Sequence, residues 1–167
     1  LGKTVICSRC RSLYGGFLRN CADGGSLCQS CFGNSGFSSG NEAKNGGAIY
    51  SATSTTLNGV KLTGNTGSNG GAVYVDGGVL NVLGGEMTGN HGVYGGAVYV
   101  KAGALKLSGG NVSANTASSY GGAVFANPAT IEVDGGSFNS NTANDDGGAF
   151  YLSGATMAVT GNTEMKK

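Results

Sequence analysis

Five cysteines, Cys7, Cys10, Cys21, Cys28 and Cys31, fall within the first 31 residues of this 167-residue chain. Two Cys-x-x-Cys pairs separated by seventeen residues have the spacing of a zinc ribbon, in which four thiolates close a tetrahedral site. Thiols at this spacing also suit disulfides, and the choice depends on the elements that carry them. Elsewhere the reactive inventory is thin: a few carboxylates, among them Asp76, Glu86, Glu132, Asp134, Asp145 and Asp146, and one histidine, His91. Cleaving a polysaccharide would need paired carboxylates, or a calcium-binding acidic cluster beside an Arg or Lys, on adjacent elements.

A repeat sets those elements. Gly-Gly-Ala followed by a β-former and an aromatic begins at Gly46, Gly70, Gly95, Gly121 and Gly147, at intervals of 24, 25, 26 and 26 residues. A period in this range marks a repeat architecture rather than an ordinary globular domain. A second column keeps step: an apolar residue three places before an Asn, as in Leu62/Asn65, Met87/Asn90, Val112/Asn115 and Phe138/Asn141, with Asn41 aligned but lacking a clear apolar partner. A third column, Leu57, Val82, Leu107 and Val133, lies five residues before the apolar member. Each repeat therefore reads as short β segments punctuated by glycine and Asn turns, with no helical spacing anywhere.

Short strands at one period cannot bury a face alone, but coiling each repeat onto the last buries a continuous column. The expected fold is all-β, a right-handed parallel β-helix of about 25 residues per coil, with coils ~4.8 Å apart and equivalent side chains stacked. Composition agrees, since 34 glycines and one proline suit tight turns but not a collagen-like or disordered chain. With 11% charged residues and a formal net charge of +1, no basic face for nucleic acid is visible. No apolar run of transmembrane length and no signal-peptide pattern is present. The chain opens on Leu1 rather than Met, which is expected of a processed product or a piece of something longer.

The repeats resemble those of the chlamydial polymorphic outer-membrane proteins, in which Gly-Gly-Ala-Ile alternates with Phe-x-x-Asn. The first motif is close in all five copies, whereas the second keeps its Phe only in Phe138-Asn139-Ser140-Asn141. The resemblance covers roughly residues 41–165. It implies a surface-exposed, non-enzymatic β-solenoid concerned with adhesion or scaffolding, located outside the cell or on its surface and requiring no cofactor.

The first forty residues align on the repeat. Cys10-Arg11-Ser12-Leu13-Tyr14-Gly15-Gly16 matches Asn90 to Gly96, which places Cys10 in the Asn column and Cys7 in the apolar column. Residues 1–40 are therefore expected to be degenerate, cysteine-rich coils, and 41–167 the regular repeats. Cys7 to Cys28 and Cys10 to Cys31 are each 21 residues apart, close to one coil, and stacked positions about 5 Å apart accept a disulfide. Cys7–Cys28 and Cys10–Cys31 staples, with Cys21 left over, are the expected pairing. Disulfides within each Cys-x-x-Cys and a zinc site are the competitors.

Asn65, Asn90, Asn115 and Asn141 are expected to stack as an amide ladder that satisfies turn backbone. In the aromatic column, Tyr50, Tyr74, Tyr99, Phe125 and Tyr151, strand alternation opposes each ring to the aliphatic residue before it. With the aliphatics inside, the rings are expected to form an exposed ladder able to stack on sugars or a partner; burial beside the Ala column is the competing reading. The acidic residues mostly occupy different columns, Asp145-Asp146 reads as a solvated turn, and His91 sits where other copies carry Thr66, Thr116 and Thr142, so no catalytic residue is expected. Thr63 and Thr88 give way to Ser113 and Asn139 in the same column, an irregularity that argues against a flat ice-binding array. Asn111-Val112-Ser113 is a glycosylation sequon. Without a capping helix at either end, the strand edges predict end-to-end self-association or contact with other extracellular proteins or glycans. A polysaccharide-binding or polysaccharide-degrading β-helix is the rival function.

Overall fold

A computed structural model describes residues 13–14, 17–18 and 36–166. From Gly36 onward the chain winds as a three-sided parallel β-solenoid of about five turns with no helix among the described residues. One side stacks Phe37–Ser39, Val60–Thr63, Gly85–Thr88, Asn111–Ser113, Gly136–Asn139 and Thr163–Lys166. The second stacks Glu42–Asn45, Thr66–Asn69, His91–Tyr94, Thr116–Tyr120 and Thr142–Ala143. The third is the widest, with Val73–Val82 and Val98–Leu107 running unbroken across it while the other coils cross it in two short strands. Every pairing in these three sheets is parallel, with Met87 over Leu62 and under Val112, and Val98 over Val73 and under Val124. The register thus follows the sequence repeat, with shifts between Gly92 and Tyr94 and around Ala102.

Each corner follows from local chemistry. The first glycine of every Gly-Gly-Ala takes a left-handed conformation, for example φ 68° at Gly95, which costs an L-residue a Cβ–carbonyl clash. The second has no room for a side chain: a Cβ on Gly96 would lie 2.1 Å from the Gly122 carbonyl oxygen of the next coil. The following alanine is buried in coil after coil, as at Ala72, Ala97 and Ala123. The motif is therefore one corner that brings successive coils into main-chain contact.

Between the sides runs one apolar core built from the inward column of each strand, including Val73, Leu80, Val98, Leu105, Ile131 and Phe138. Stacking a coil on its neighbour removes these side chains from water, at about 1.5–3 kcal/mol for each large one. The first strand of the stack begins at Phe37 and sets Ser38 against Leu62, so Ser38 fills the place in the apolar column that is empty of an apolar partner for Asn41. It is buried, and its hydroxyl receives the Asn41 amide at 2.8 Å.

The two ends of the core differ. In the last coil the inward-facing Leu152, Val159 and Met165 are 38%, 51% and 48% exposed, whereas their counterparts one coil below, Ala126, Val133 and Phe138, are fully buried. Leu13–Tyr14 and Phe17–Leu18 pair with each other antiparallel. The remainder of the first 35 residues, with the five cysteines, lies outside the described residues, and so do the pairings and the coil alignment expected there.

Candidate functional site

The Asn column is a continuous buried hydrogen-bond ladder. The Nδ2 of Asn41, Asn65, Asn90 and Asn115 donates to the Oδ1 of the next Asn at 2.9 to 3.0 Å, and each main-chain N–H donates to that same oxygen at 2.9 to 3.1 Å. The second Nδ2 hydrogen reaches a strand carbonyl: Ser38 for Asn65, Leu62 for Asn90, Met87 for Asn115 and Val112 for Asn141. Each interior amide is consumed within the rod, so the ladder presents no group to a ligand.

The aromatic column also forms a ladder. Ring centroids from Tyr50 through Tyr74, Tyr99 and Phe125 to Tyr151 are 5.3, 5.3, 4.9 and 5.4 Å apart, with planes within 26° of parallel. These rings lie opposite the buried aliphatics, on the outer side of the strand, and are covered only in part: Tyr74 and Phe125 are 6% and 7% exposed, whereas Tyr50, Tyr99 and Tyr151 are half-buried. The reason is twofold. Ring stacked on ring covers both faces, and the column preceding each Gly-Gly folds over the ladder from outside. Tyr94 lies 5.3 Å from Phe125, Tyr120 lies 4.6 Å from Tyr151, and the two covering rings stack on each other at 6.1 Å. The covering column was legible in the chain as Asn45, Asn69, Tyr94 and Tyr120, each one residue before a Gly-Gly, but its changing identity hides it. In the lower coils it is an amide pair, Asn69 Nδ2 donating to Asn45 Oδ1 at 2.8 Å.

The electrostatics of this face are local. Asp76 receives the Lys101 ammonium at 2.8 Å and the Tyr50 hydroxyl, and these two hydrogen bonds hold its carboxyl below the ordinary range. The same contacts push Lys101 and Tyr50 up. Burial raises Tyr74 and Tyr99, and the negative charge of Asp145 raises Tyr120. Lys61–Glu86 and Lys106–Glu132 are further one-coil steps at 3.0 and 2.9 Å, and as exposed pairs each contributes about 0–1 kcal/mol.

Two of the acidic residues, Glu132 and Asp134, share one depression. A groove of about 310 Å³ on the outer side of the widest sheet is lined by Lys106, Ser108, Glu132, Asp134 and Thr160 among others. Glu132 is engaged by Lys106, and Asp134 accepts the Thr160 hydroxyl at 3.0 Å. His91 stands exposed at the start of its strand, its Nδ1 2.8 Å from Thr116 Oγ1. Asp145 and Asp146 are exposed in the turn before Gly147. Asn111 is half-buried at the start of its strand and accepts the Ser137 hydroxyl at 3.2 Å. Among the described residues no group of three or more His, Cys, Asp or Glu is placed to hold a metal, and no helix is long and apolar enough to cross a membrane.

These features define a class: a parallel β-solenoid repeat protein whose polar and aromatic columns are satisfied within the rod. Compared with protein families, curated proteins and solved structures, the chain matches none.

Proposed function

We infer that the chain is a non-enzymatic, extracellular structural β-solenoid, a surface scaffold or fibre subunit that associates or adheres through stacked coils. The observation that carries this reading is the stacking itself: equivalent residues of successive coils pair in parallel, and the Asn and apolar columns hold each coil to its neighbours. A rod built this way extends by adding coils, each buried against the last. The resemblance of the repeats to the chlamydial outer-membrane passengers supports a place on the cell surface. Sedimentation velocity across a concentration series tests the reading, with electron microscopy to distinguish rods from fibres. Oligomers that grow with concentration and are lost in Val159→Glu support it; a monomer at every concentration, together with failure to bind any cell surface, removes it.

The groove favours a second reading, in which the outer side of the widest sheet holds a glycan. Glu132, Asp134 and Lys106 line one depression, and a sugar could accept from the ammonium and donate to the carboxylates. A glycan array would show selective binding lost in Glu132→Gln and Asp134→Asn; reducing-end release would make it hydrolytic.

A further inference from the structure

Six tyrosines, Tyr50, Tyr74, Tyr94, Tyr99, Tyr120 and Tyr151, belong to one connected set of rings on the outer side of the rod. Tyr50, Tyr74 and Tyr99 stack at 5.3 Å per step, and Phe125 bridges Tyr99 to Tyr94 at 4.9 and 5.3 Å. Stacked rings in contact overlap through their π systems, which lets an electron pass from one to the next. The chain holds no tryptophan, so its phenols are the most readily oxidised rings present.

What separates these phenols is where each could send its proton. A phenol that loses an electron becomes a strong acid, and the radical is held where a base within hydrogen-bond reach takes the proton. Among the described tyrosines only Tyr50 is so placed, its hydroxyl donating to Asp76 Oδ2. The Lys101 ammonium, 2.8 Å from Asp76 Oδ1, holds that carboxylate ionised and able to accept. Tyr99 instead meets the side chain of Asn127, an amide with no comparable basicity, and Tyr74 is buried in the middle of the stack.

We propose that this array is a one-electron relay, in which half-buried Tyr99 or Tyr94 meets an outer-sphere, metal-centred oxidant and Tyr50, with Asp76 as its proton acceptor, is the terminal donor. The oxidant takes one electron from Tyr99. Tyr74 refills that ring, and Tyr50 refills Tyr74. The Tyr50 O–H bond then breaks, the proton forms a new O–H bond at Asp76 Oδ2, and Tyr50 is left as a neutral phenoxyl radical. The oxidant is reduced by one electron and every other ring ends as it began. An oxidising equivalent striking any of several coils is thus collected at one hydrogen-bonded phenol. This activity is apart from the scaffold role above and stands or falls without it.

The test uses the full chain and tris(bipyridyl)ruthenium(III), generated by light from the ruthenium(II) complex and persulfate in less than one equivalent. A nitroso spin trap captures the tyrosyl radical, and peptide mass spectrometry locates the adduct. Tyr50 is expected to carry at least fivefold more adduct than Tyr99. Asp76→Asn keeps an acceptor for the Tyr50 hydroxyl but cannot take the proton, and should lower the Tyr50 share at least fivefold. Tyr74→Leu, and independently Tyr99→Leu, should do the same by breaking the stack, with circular dichroism confirming the fold of each variant. Adduct spread evenly over the half-buried tyrosines, or a Tyr50 share unchanged in Asp76→Asn, overturns the assignment of Tyr50 and Asp76. A Tyr50 share unchanged in both leucine variants means direct attack at Tyr50 and overturns the relay.

Discussion

Replacing Asn90 by alanine tests whether the amide ladder is a stability element or an ornament of the turn. Its Oδ1 accepts the Asn65 main-chain N–H at 2.9 Å and the Asn65 amide at 3.0 Å, and its Nδ2 donates to the Leu62 carbonyl and to Asn115 Oδ1, both at 2.9 Å. The neighbouring amides keep other partners after the change: Asn65 Nδ2 still reaches the Ser38 carbonyl, and Asn115 Oδ1 still receives the Asn90 N–H. One buried main-chain group does not, namely the Asn65 N–H; the Leu62 carbonyl loses the amide but stays within the parallel ladder to the next coil. At about 1–3 kcal/mol for an orphaned buried group, the expected loss is about 2 kcal/mol. Guanidinium unfolding followed by far-ultraviolet circular dichroism reads the loss, and hydrogen exchange at the Asn65 amide locates it. The exposed Asn144→Ala serves as control, expected within about 0.5 kcal/mol of the parent. Asn90→Asp adds a pH signature. Burial raises a carboxyl's folded pKa above the unfolded value of about 3.9, so the neutral acid is the tolerated form. The deficit of that variant is smallest below about pH 4 and grows as pH rises through the folded value. An Asn90→Ala protein within about 0.5 kcal/mol of the parent, with no change in Asn65 exchange, would refute the accounting.

Gly96→Ala should cost about 3 kcal/mol or prevent folding, because its Cβ would meet Gly122 O at 2.1 Å and the Thr116 main chain at 2.7 Å, and neither can retreat without moving a coil. By contrast, Gly89→Ala meets nothing within 4 Å and carries only the left-handed penalty at φ 65°, about 1–2 kcal/mol; thermal melts of the pair separate steric from conformational cost. At the positions equivalent to Gly89, Ala114 and Ser140 take φ 53° and 54°, so Ala114→Gly and Ser140→Gly should each raise stability by up to about 1 kcal/mol, and a lowered melting temperature in both would count against the strain argument. The Lys101 and Tyr50 contacts that lower the Asp76 carboxyl contribute stability above its unfolded pKa that fades as pH falls through the folded one; a carboxyl titration by NMR should find Asp76 below the ordinary aspartate range, and Lys101→Met should move it back up.

What the chain disclosed in advance depends on how many partners fix a residue. The Gly-Gly corner and the Asn were legible because the coil on either side admits nothing else: a Cβ at the second glycine strikes main chain, and only an amide both accepts and donates in the ladder. Ser38 was not legible as a core residue, since a serine there is tolerable only because Asn41 donates to its hydroxyl. The cover over part of the aromatic ladder was not legible for a related reason. Alternation correctly separates the rings from the aliphatic column, but alternation says nothing of a neighbouring corner folding back. Tyr94 and Tyr120 cover Phe125 and Tyr151 from a column that begins as Asn45 and Asn69, and a column whose chemistry changes midway gives no periodic signal.

The same contrast bears on where function can reside. In the apolar column Leu62, Met87, Val112 and Phe138 succeed one another in register, and such drift is tolerated because a core needs volume and shape rather than one residue. Phe138 finds its extra volume by packing 4.7 Å from Phe150 in the coil above. Interior columns therefore vary within apolar limits, corner columns hardly vary, and outer columns change freely, from Lys61 to Glu86 to Asn111 to Ser137 on one side. Apart from the stacked aromatic column, no outer column among the described residues repeats one functional group over all coils, so a flat periodic lattice would find no matching polar array there.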